Sequence, residues 1–268
     1  WVKSSTEIQN FGHDMYSFRV FTDSYNNIYE YSAIQGYDFS FDLVPLSLSY
    51  NNQFIFRFDN NGSAIIGYAL SNTGIDRTIV TSSGKMVVGI NYSTAGNPLY
   101  GNFSLMQISN SLTLEWSKPT SSSMSGTAHI DFIKHDESGN TYLASTILGY
   151  CNYFGTIINT NSYTRVISKH DLNGNLVWVK KISNIIPSNN SNSQLILDKD
   201  GNILTIGSFG EIVTFEAATL TTLTNTTKEK EVYIAKYSPS GDLLWAVNVD
   251  AYFDIQFGIS SDNSSNVI

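Results

Sequence analysis

A phrase built around tryptophan recurs along the chain, and its spacing constrains the fold more than any other feature. It reads FIFRFDNNGSAII, FSLMQISNSLTLEW, RVISKHDLNGNLVW and VYIAKYSPSGDLLW in successive occurrences. A second phrase alternates with it, as FRVFTDSYNNIYEYS, RTIVTSSGKMVVGI, DFIKHDESGNTYLAS, LILDKDGNILTIGS and the shorter GISSDNSSNVI. The turn positions of this second phrase, Asn26, Gly84, Gly139, Gly201 and Ser265, lie 58, 55, 62 and 64 residues apart. The tryptophan column, Trp1, Ile66, Trp116, Trp178 and Trp245, steps by 65, 50, 62 and 67 residues. All 4 tryptophans fall in this column, with Ile66 in the remaining place. Such a period, with its slack confined to loops, marks a repeat protein.

Each phrase reads as two strands and a turn. Phe54, Phe56 and Phe58 share one face of a strand while Ile55 and Arg57 share the other, the period-two alternation of a β-strand. Asp200-Gly201-Asn202, Asn173-Gly174-Asn175 and Ser138-Gly139-Asn140 supply residues that tolerate positive φ, as hairpin turns require. Aromatic residues at 13% against charged residues at 14% also favour strands joined by polar turns over long helices. Two hairpins per repeat, at this period, predict the four-stranded antiparallel blades of a β-propeller rather than a sandwich. The complete repeats fall at about 15–70, 76–119, 128–182 and 194–249, with partial blade strands at 1–6 and 255–268, all within one domain over 1–268. The tryptophans are expected to open the outermost strand and pack between neighbouring blades. Together with Ile66, Gly139, Gly174, Gly201 and Gly241 they are structural anchors of the repeat.

These phrases resemble the bacterial β-propeller repeats known as SBBP. VYIAKYSPSGDLLWAVNVD and LILDKDGNILTIGSFGEIVTF carry the resemblance, together with their order along the chain. It is strongest from Tyr163 to Val249. Ile66 in place of Trp, Leu112 in place of the turn Gly and Thr81 in place of Asp depart from the pattern. The first phrase is also similar to pyrroloquinoline-quinone-type propeller repeats, but the step from Asp171 to Gly174 is one residue shorter than in that motif. The resemblance implies a secreted or cell-surface bacterial protein, exported in many cases through the type 9 pathway. Because both ends of the sequence fall inside a repeated phrase, the expectation is a fragment of a larger ring, closing at five blades or at about seven.

A net charge of -8 with only 15 Lys and Arg spread along the chain argues against a nucleic-acid surface. The single cysteine, Cys151, rules out an intrachain disulfide and any Cys-based zinc site. No apolar run reaches the roughly 18 residues that span a bilayer as a helix. No cofactor, metal site or catalytic set is assigned. The repeated acids Asp23, Asp136, Asp198 and Asp262 stand just before the turn and read as turn caps. DKDGN at 198–202 reads as a hairpin and not a calcium loop, because Gly201 falls fourth where the EF-hand needs its glycine sixth. The column Arg57, Gln107, Lys169 and Lys236 either pairs with those acids or is solvated. His129 with Asp131, and His135 with Asp136, are dyads by closeness only. Glu211 and Asp131 are the unrepeated acids an enzyme would use. Tyr150, Tyr153 and Phe154 form either a sugar-stacking platform or strand packing; the recurrence of Phe41, Phe154 and Phe215 in comparable places favours the second. The reading at this level is a non-catalytic binding module for adhesion, with surface polysaccharide or another protein as partner. A glycan-active enzyme or accessory domain using the central funnel, and a protein-docking scaffold, are its alternatives.

Overall fold

A computed structural model of the chain describes residues 6–7, 15–23, 25–34, 39–41, 44–46, 52–70, 74–80, 84–94, 97–122, 126–186, 194–216, 221–224, 231–249, 258–262 and 264–267. Among them every regular element is a strand, and the strand pairings are antiparallel. The chain divides into two compact units, Trp1–Tyr92 with Leu105–Ser117, and Ser93–Ser104 with Lys118–Ile268.

The first unit draws on β1 (Thr6–Glu7), β2 (Met15–Thr22), β3 (Ile28–Ile34), β4 (Phe39–Phe41), β5 (Val44–Leu46), β6 (Asn52–Phe58), β7 (Ala64–Leu70), β8 (Gly74–Val80), β9 (Met86–Thr94), the later part of β10 (Asn97–Ile108) and β11 (Leu114–Pro119). Two four-stranded meanders run in the orders β2-β3-β6-β7 and β8-β9-β10-β11, beside a small sheet β1-β4-β5. The faces of these strands bury Tyr29, Tyr31, Ile55, Met86, Val88, Ile90, Met106, Ile108 and Leu112 as one apolar cluster.

The second unit contains β12 (Ser121–Ser122), β13 (Thr127–His135), β14 (Thr141–Tyr153), β15 (Thr156–His170), β16 (Leu176–Ile186), β17 (Gln194–Leu197), β18 (Ile203–Phe215), β19 (Thr221–Thr224), β20 (Glu231–Tyr237) and β21 (Leu243–Val249). Its meanders are β13-β14-β15-β16 and β17-β18-β20-β21. Beyond them a further hairpin begins with the bridge between Ser261 and Val267. The segments around Tyr150 and Val213 are largely extended hairpins that run on beyond the meanders. A register shift between Ile147 and Gly149, where Gly149 takes φ 79°, lets β14 and β15 continue to their tip at Phe154-Gly155. Alternation persists there: Cys151 and Tyr153 are buried while Tyr150 is exposed. β18 likewise runs on to pair with β19, and Ile182 of β16 meets Phe215.

One local design repeats at the hairpins. In eight turns, beginning at Asp23, Asp59, Ser109, Asp136, Asp171, Asp198, Ser238 and Asp262, the first residue donates its N–H to the carbonyl four residues on and accepts at its own carbonyl from the N–H three residues on. That fourth residue has positive φ in each case: Asn26, Gly62, Leu112, Gly139, Gly174, Gly201, Gly241 and Ser265. This is a type I turn closed by a left-handed residue, the usual three-residue hairpin loop. The left-handed step is free for glycine and costs an L-residue roughly 1–2 kcal/mol. The first side chain completes the turn: Asp136 Oδ1 accepts from the Asn140 N–H at 2.8 Å and its Oδ2 from Asn140 Nδ2 at 2.8 Å. Asp23, Asp171, Asp198 and Asp262 bind their own Asn27, Asn175, Asn202 and Asn266 in the same way.

Consecutive meanders of the second unit meet through Trp178. Its indole Nε1 donates to the Pro239 carbonyl at 3.1 Å, and its ring lies over Gly241, where a Cβ would stand 2.9 Å from the indole. Tyr142 packs edge-on from behind at 6.3 Å. In the first unit the two departures from the repeat belong together. Ile66 stands where Trp is expected, and it packs on the cluster holding Leu112, which stands where the next turn's Gly is expected. A smaller residue on one side is matched by a larger one on the other. Leu112 accepts a φ of 54° to keep that volume filled and is 3% exposed.

Two outcomes follow for folding stability. Gly241→Ala meets both the φ of 88° and the indole and should lose about 3 kcal/mol, whereas Gly201→Ala, whose Cβ has ordinary contact with Pro239 at 3.6 Å, should lose only about 1 kcal/mol. Ile66→Trp and Leu112→Gly should each destabilise by about 1–3 kcal/mol, and the double variant by clearly less than their sum, read by denaturant unfolding as a double-mutant cycle.

Candidate functional site

The first strands of successive repeats come together in the second unit. Lys134 and His135 of β13, Ile196 and Leu197 of β17, and residues Ile259, Ser260 and Ser261 line one cleft of about 360 Å³. Among the described residues β13 pairs only with β14, and β17 only with β18, so within that set each has one backbone edge outside the sheet. The third edge is tied in by a side chain: Gln194 Oε1 accepts from the Ile259 N–H at 3.0 Å. Ile259 and Val267 also pack against Leu204, Ile206 and Val232. The cleft wall therefore offers aliphatic surface, serine hydroxyls, one lysine and one imidazole. Burial lowers the His135 imidazole below its ordinary value despite the Asp136 carboxylate beside it, so this ring is neutral at pH 7.

Earlier on β13, on the face turned to the fourth meander, lies a buried ionic group. A bulge in β13 between Ile130 and Phe132 turns Asp131 inward. Its Oδ1 meets His129 Nε2 at 3.0 Å, and its Oδ2 accepts from Thr146 Oγ1 at 2.7 Å and faces Arg165 Nη1 at 3.5 Å. Burial alone would raise this carboxyl, but the Arg165 charge and the His129 bond outweigh it and hold it down to about 2. An acid so firmly ionised cannot donate a proton near neutrality. His129 remains partly exposed on the first-strand side.

A second buried chain runs through the third meander. His170 Nδ1 lies 3.3 Å from the Gly174 carbonyl, which can only accept, so Nδ1 carries the proton and Nε2 accepts from Ser168 Oγ at 2.9 Å. Ser168 Oγ then accepts from the Tyr153 hydroxyl at 2.8 Å, and Ser145 Oγ stands 3.3 Å from that hydroxyl. Ser168 and His170 have the separation of a nucleophile and its base, yet both are fully buried and Phe154 covers the imidazole at 4.6 Å. The chain holds the hairpin extension onto the meander. Burial also pushes the Cys151 thiol up to about 12, leaving it a protonated, inert part of the core.

The polar column resolves residue by residue. Lys236 Nζ pairs with Asp198 Oδ2 at 2.9 Å and reaches the Ser265 carbonyl of the next hairpin at 3.3 Å. Arg57 instead bonds the Asn110 carbonyl and Asn27 Oδ1, Lys169 lies over the Tyr142 ring at 5.3 Å, and Gln107 bonds Glu115. The second oxygen of the turn acid is satisfied by a tyrosine in two repeats, Tyr29 on Asp23 and Tyr142 on Asp136. Lys236 takes that part in the fourth repeat, where Leu204 replaces the tyrosine. Of the anchors, Trp1 lies outside the described residues; Trp116 is half-buried on β11 and Trp245 is 37% exposed on β21. Of the aromatic trio, Tyr153 is core, Tyr150 is exposed, and Phe154 packs edge-on against Phe103, Tyr153 and His170. Glu211 is exposed on the β18 extension, apart from any acid–base partner among the described residues. Among the described residues no group of His, Cys, Asp and Glu could hold a metal ion, and no helix is long and apolar enough to cross a membrane.

The buried imidazole sets a pH dependence. His170 is held down to about 4, against an ordinary 6.5, chiefly because burial disfavours its charged form. Between these values the unfolded chain binds a proton that the folded chain refuses, so this group's contribution to stability falls as pH drops from about 6.5 to about 4. The loss should reach a few kcal/mol. His170→Gln should flatten the slope in that window, as measured by denaturant melts at a series of pH values.

No family model matches the chain, and the likeness to SBBP repeats gains no support from that comparison. An uncharacterized WD repeat-containing protein of Acanthamoeba polyphaga mimivirus is 30% identical over 135 residues, which cover 42% of this chain. The match spans only about a tenth of that relative's length.

Proposed function

We propose that the chain forms blades of a β-propeller and serves, without chemistry of its own, as a protein-docking scaffold. The convergence of β13, β17 and residues Ile259–Ser261 on one cleft carries the reading. In a propeller the first strand of every blade faces the axis, and consecutive four-stranded blades pack face against face. The Trp178 seat on Gly241 supplies that packing. The WD type named in the relative is itself a repeat of four strands per blade, which favours docking of proteins over the adhesion and glycan readings. Those readings, like export and a cell-surface location, draw only on the SBBP resemblance. The inaccessible Ser168–His170 pair and the fully ionised Asp131 favour a non-catalytic role.

A photo-crosslinker placed at Ser260 should capture a protein that, once purified, forms a stoichiometric complex by calorimetry. Lys134→Glu together with Ser260→Arg should weaken that complex at least tenfold, or about 1.4 kcal/mol, without lowering the melting temperature. Unchanged affinity in the double variant, or turnover of a glycan by the unmodified chain, would sink the proposal.

A further inference from the structure

The face shared by the third and fourth meanders is apolar over most of its extent. Tyr142, Ala144 and Ile167 on one side meet Leu195, Ile203, Ala235 and Tyr237 on the other. One layer breaks the pattern. Thr146 and Arg165 stand opposite each other across β14 and β15, while Gly207 stands opposite Tyr233 across β18 and β20, with Thr205 two residues before it on the same face. Gly207 has no side chain because the phenol lies over it: a Cβ there would be 2.5 Å from the Tyr233 hydroxyl. The hydroxyl is thereby held in the layer of Arg165 and Asp131, whose charges both act on it.

Four polar atoms in this layer are buried without a hydrogen bond: Arg165 Nε and Nη1, Thr205 Oγ1 and the Tyr233 hydroxyl. The Thr205 hydroxyl is within reach of the Tyr233 hydroxyl as a weak partner, short of full hydrogen-bond geometry. Leaving a buried donor unmet is unfavourable, and buried polar atoms are almost always satisfied by protein or by ordered water. The missing partner must accept from a guanidinium that has no acceptor to offer, and it must exchange bonds with hydroxyls that can do either. Charge decides its identity. Asp131 already balances Arg165, so an anion would add an uncompensated buried charge, whereas a neutral molecule with two lone pairs and two protons adds none.

We infer that an ordered water occupies this layer, accepting from Arg165 and bridging it to Thr205 and Tyr233, and that it is the polar cement between the third and fourth repeats. Water of this kind makes about three hydrogen bonds and is costly to remove. Its partners come from both repeats, so it ties the His129–Asp131–Arg165 group of one to the β18–β20 pair of the next.

Substitution gives opposite signs for a wet and a dry layer. With the water present, Tyr233→Phe should reduce the folding equilibrium constant about tenfold, and Thr205→Val should do the same. The Thr205→Val/Tyr233→Phe pair should lose less than the product, because the first change already releases the water. In a dry layer whose Tyr233 hydroxyl is unpaired, Tyr233→Phe should leave stability unchanged or raise it, which would overturn the inference. A crystal structure of the unaltered protein at high resolution provides the direct reading, even if a variant fails to fold. Density within hydrogen-bond distance of Arg165 and at least one hydroxyl, with no anomalous signal after a bromide soak, supports the water. A bromide peak at that position, or Tyr233 bonded straight to Thr205 with no density between them, would overturn it.

Discussion

The structure depends on one backbone constraint, the left-handed residue at the fourth position of the eight repeated hairpin turns. It fixes the turn, the turn fixes the register of the two strands beside it, and register decides which side chains face the core. The acid or serine at the turn's first position stabilises the same geometry from the side. Burial would otherwise make those acids harder to ionise. Their bonds to backbone N–H groups, to asparagine and to Tyr29, Tyr142 or Lys236 outweigh it, and Asp23, Asp136 and Asp198 all remain below the ordinary carboxylate value.

The glycine of the turn has a second consequence. Because Gly241 presents no side chain, the flat indole of Trp178 can lie on it and form a hydrogen bond to the adjoining carbonyl. One residue thus serves the hairpin it closes and the repeat that packs on it. Ile66 and Leu112 demonstrate the same dependence in reverse, since losing the glycine on one side accompanies losing the tryptophan on the other.

Much of this was legible in the sequence. The period, the paired hairpins and the turn-capping acids follow from residues that act within five positions of each other, where local chemistry suffices. The Trp178 contact was readable as a column, though its partner Gly241 was not assigned to it. The hairpin extensions were harder to see, because the bulge at Gly149 interrupts the alternation that identifies a strand. The polar layer escaped altogether: Asp131, Thr146, Arg165, Thr205 and Tyr233 come from five strands and more than one repeat. An arginine just before the apolar pair Val166-Ile167, and a glycine where β18 should carry a side chain, were its only traces. The cleft was likewise invisible, since it arises from β13, β17 and the segment Ile259–Ser261, brought together only by the packing of whole repeats.

The most direct test of repeat-on-turn packing is the proton NMR spectrum of Gly241. Lying beneath the Trp178 indole, its α-protons should be shifted strongly upfield by the ring current, show nuclear Overhauser contacts to the indole, and return toward ordinary values in Trp178→Leu. Ordinary shifts for Gly241 in the unaltered protein, without contacts to Trp178, would contradict the account.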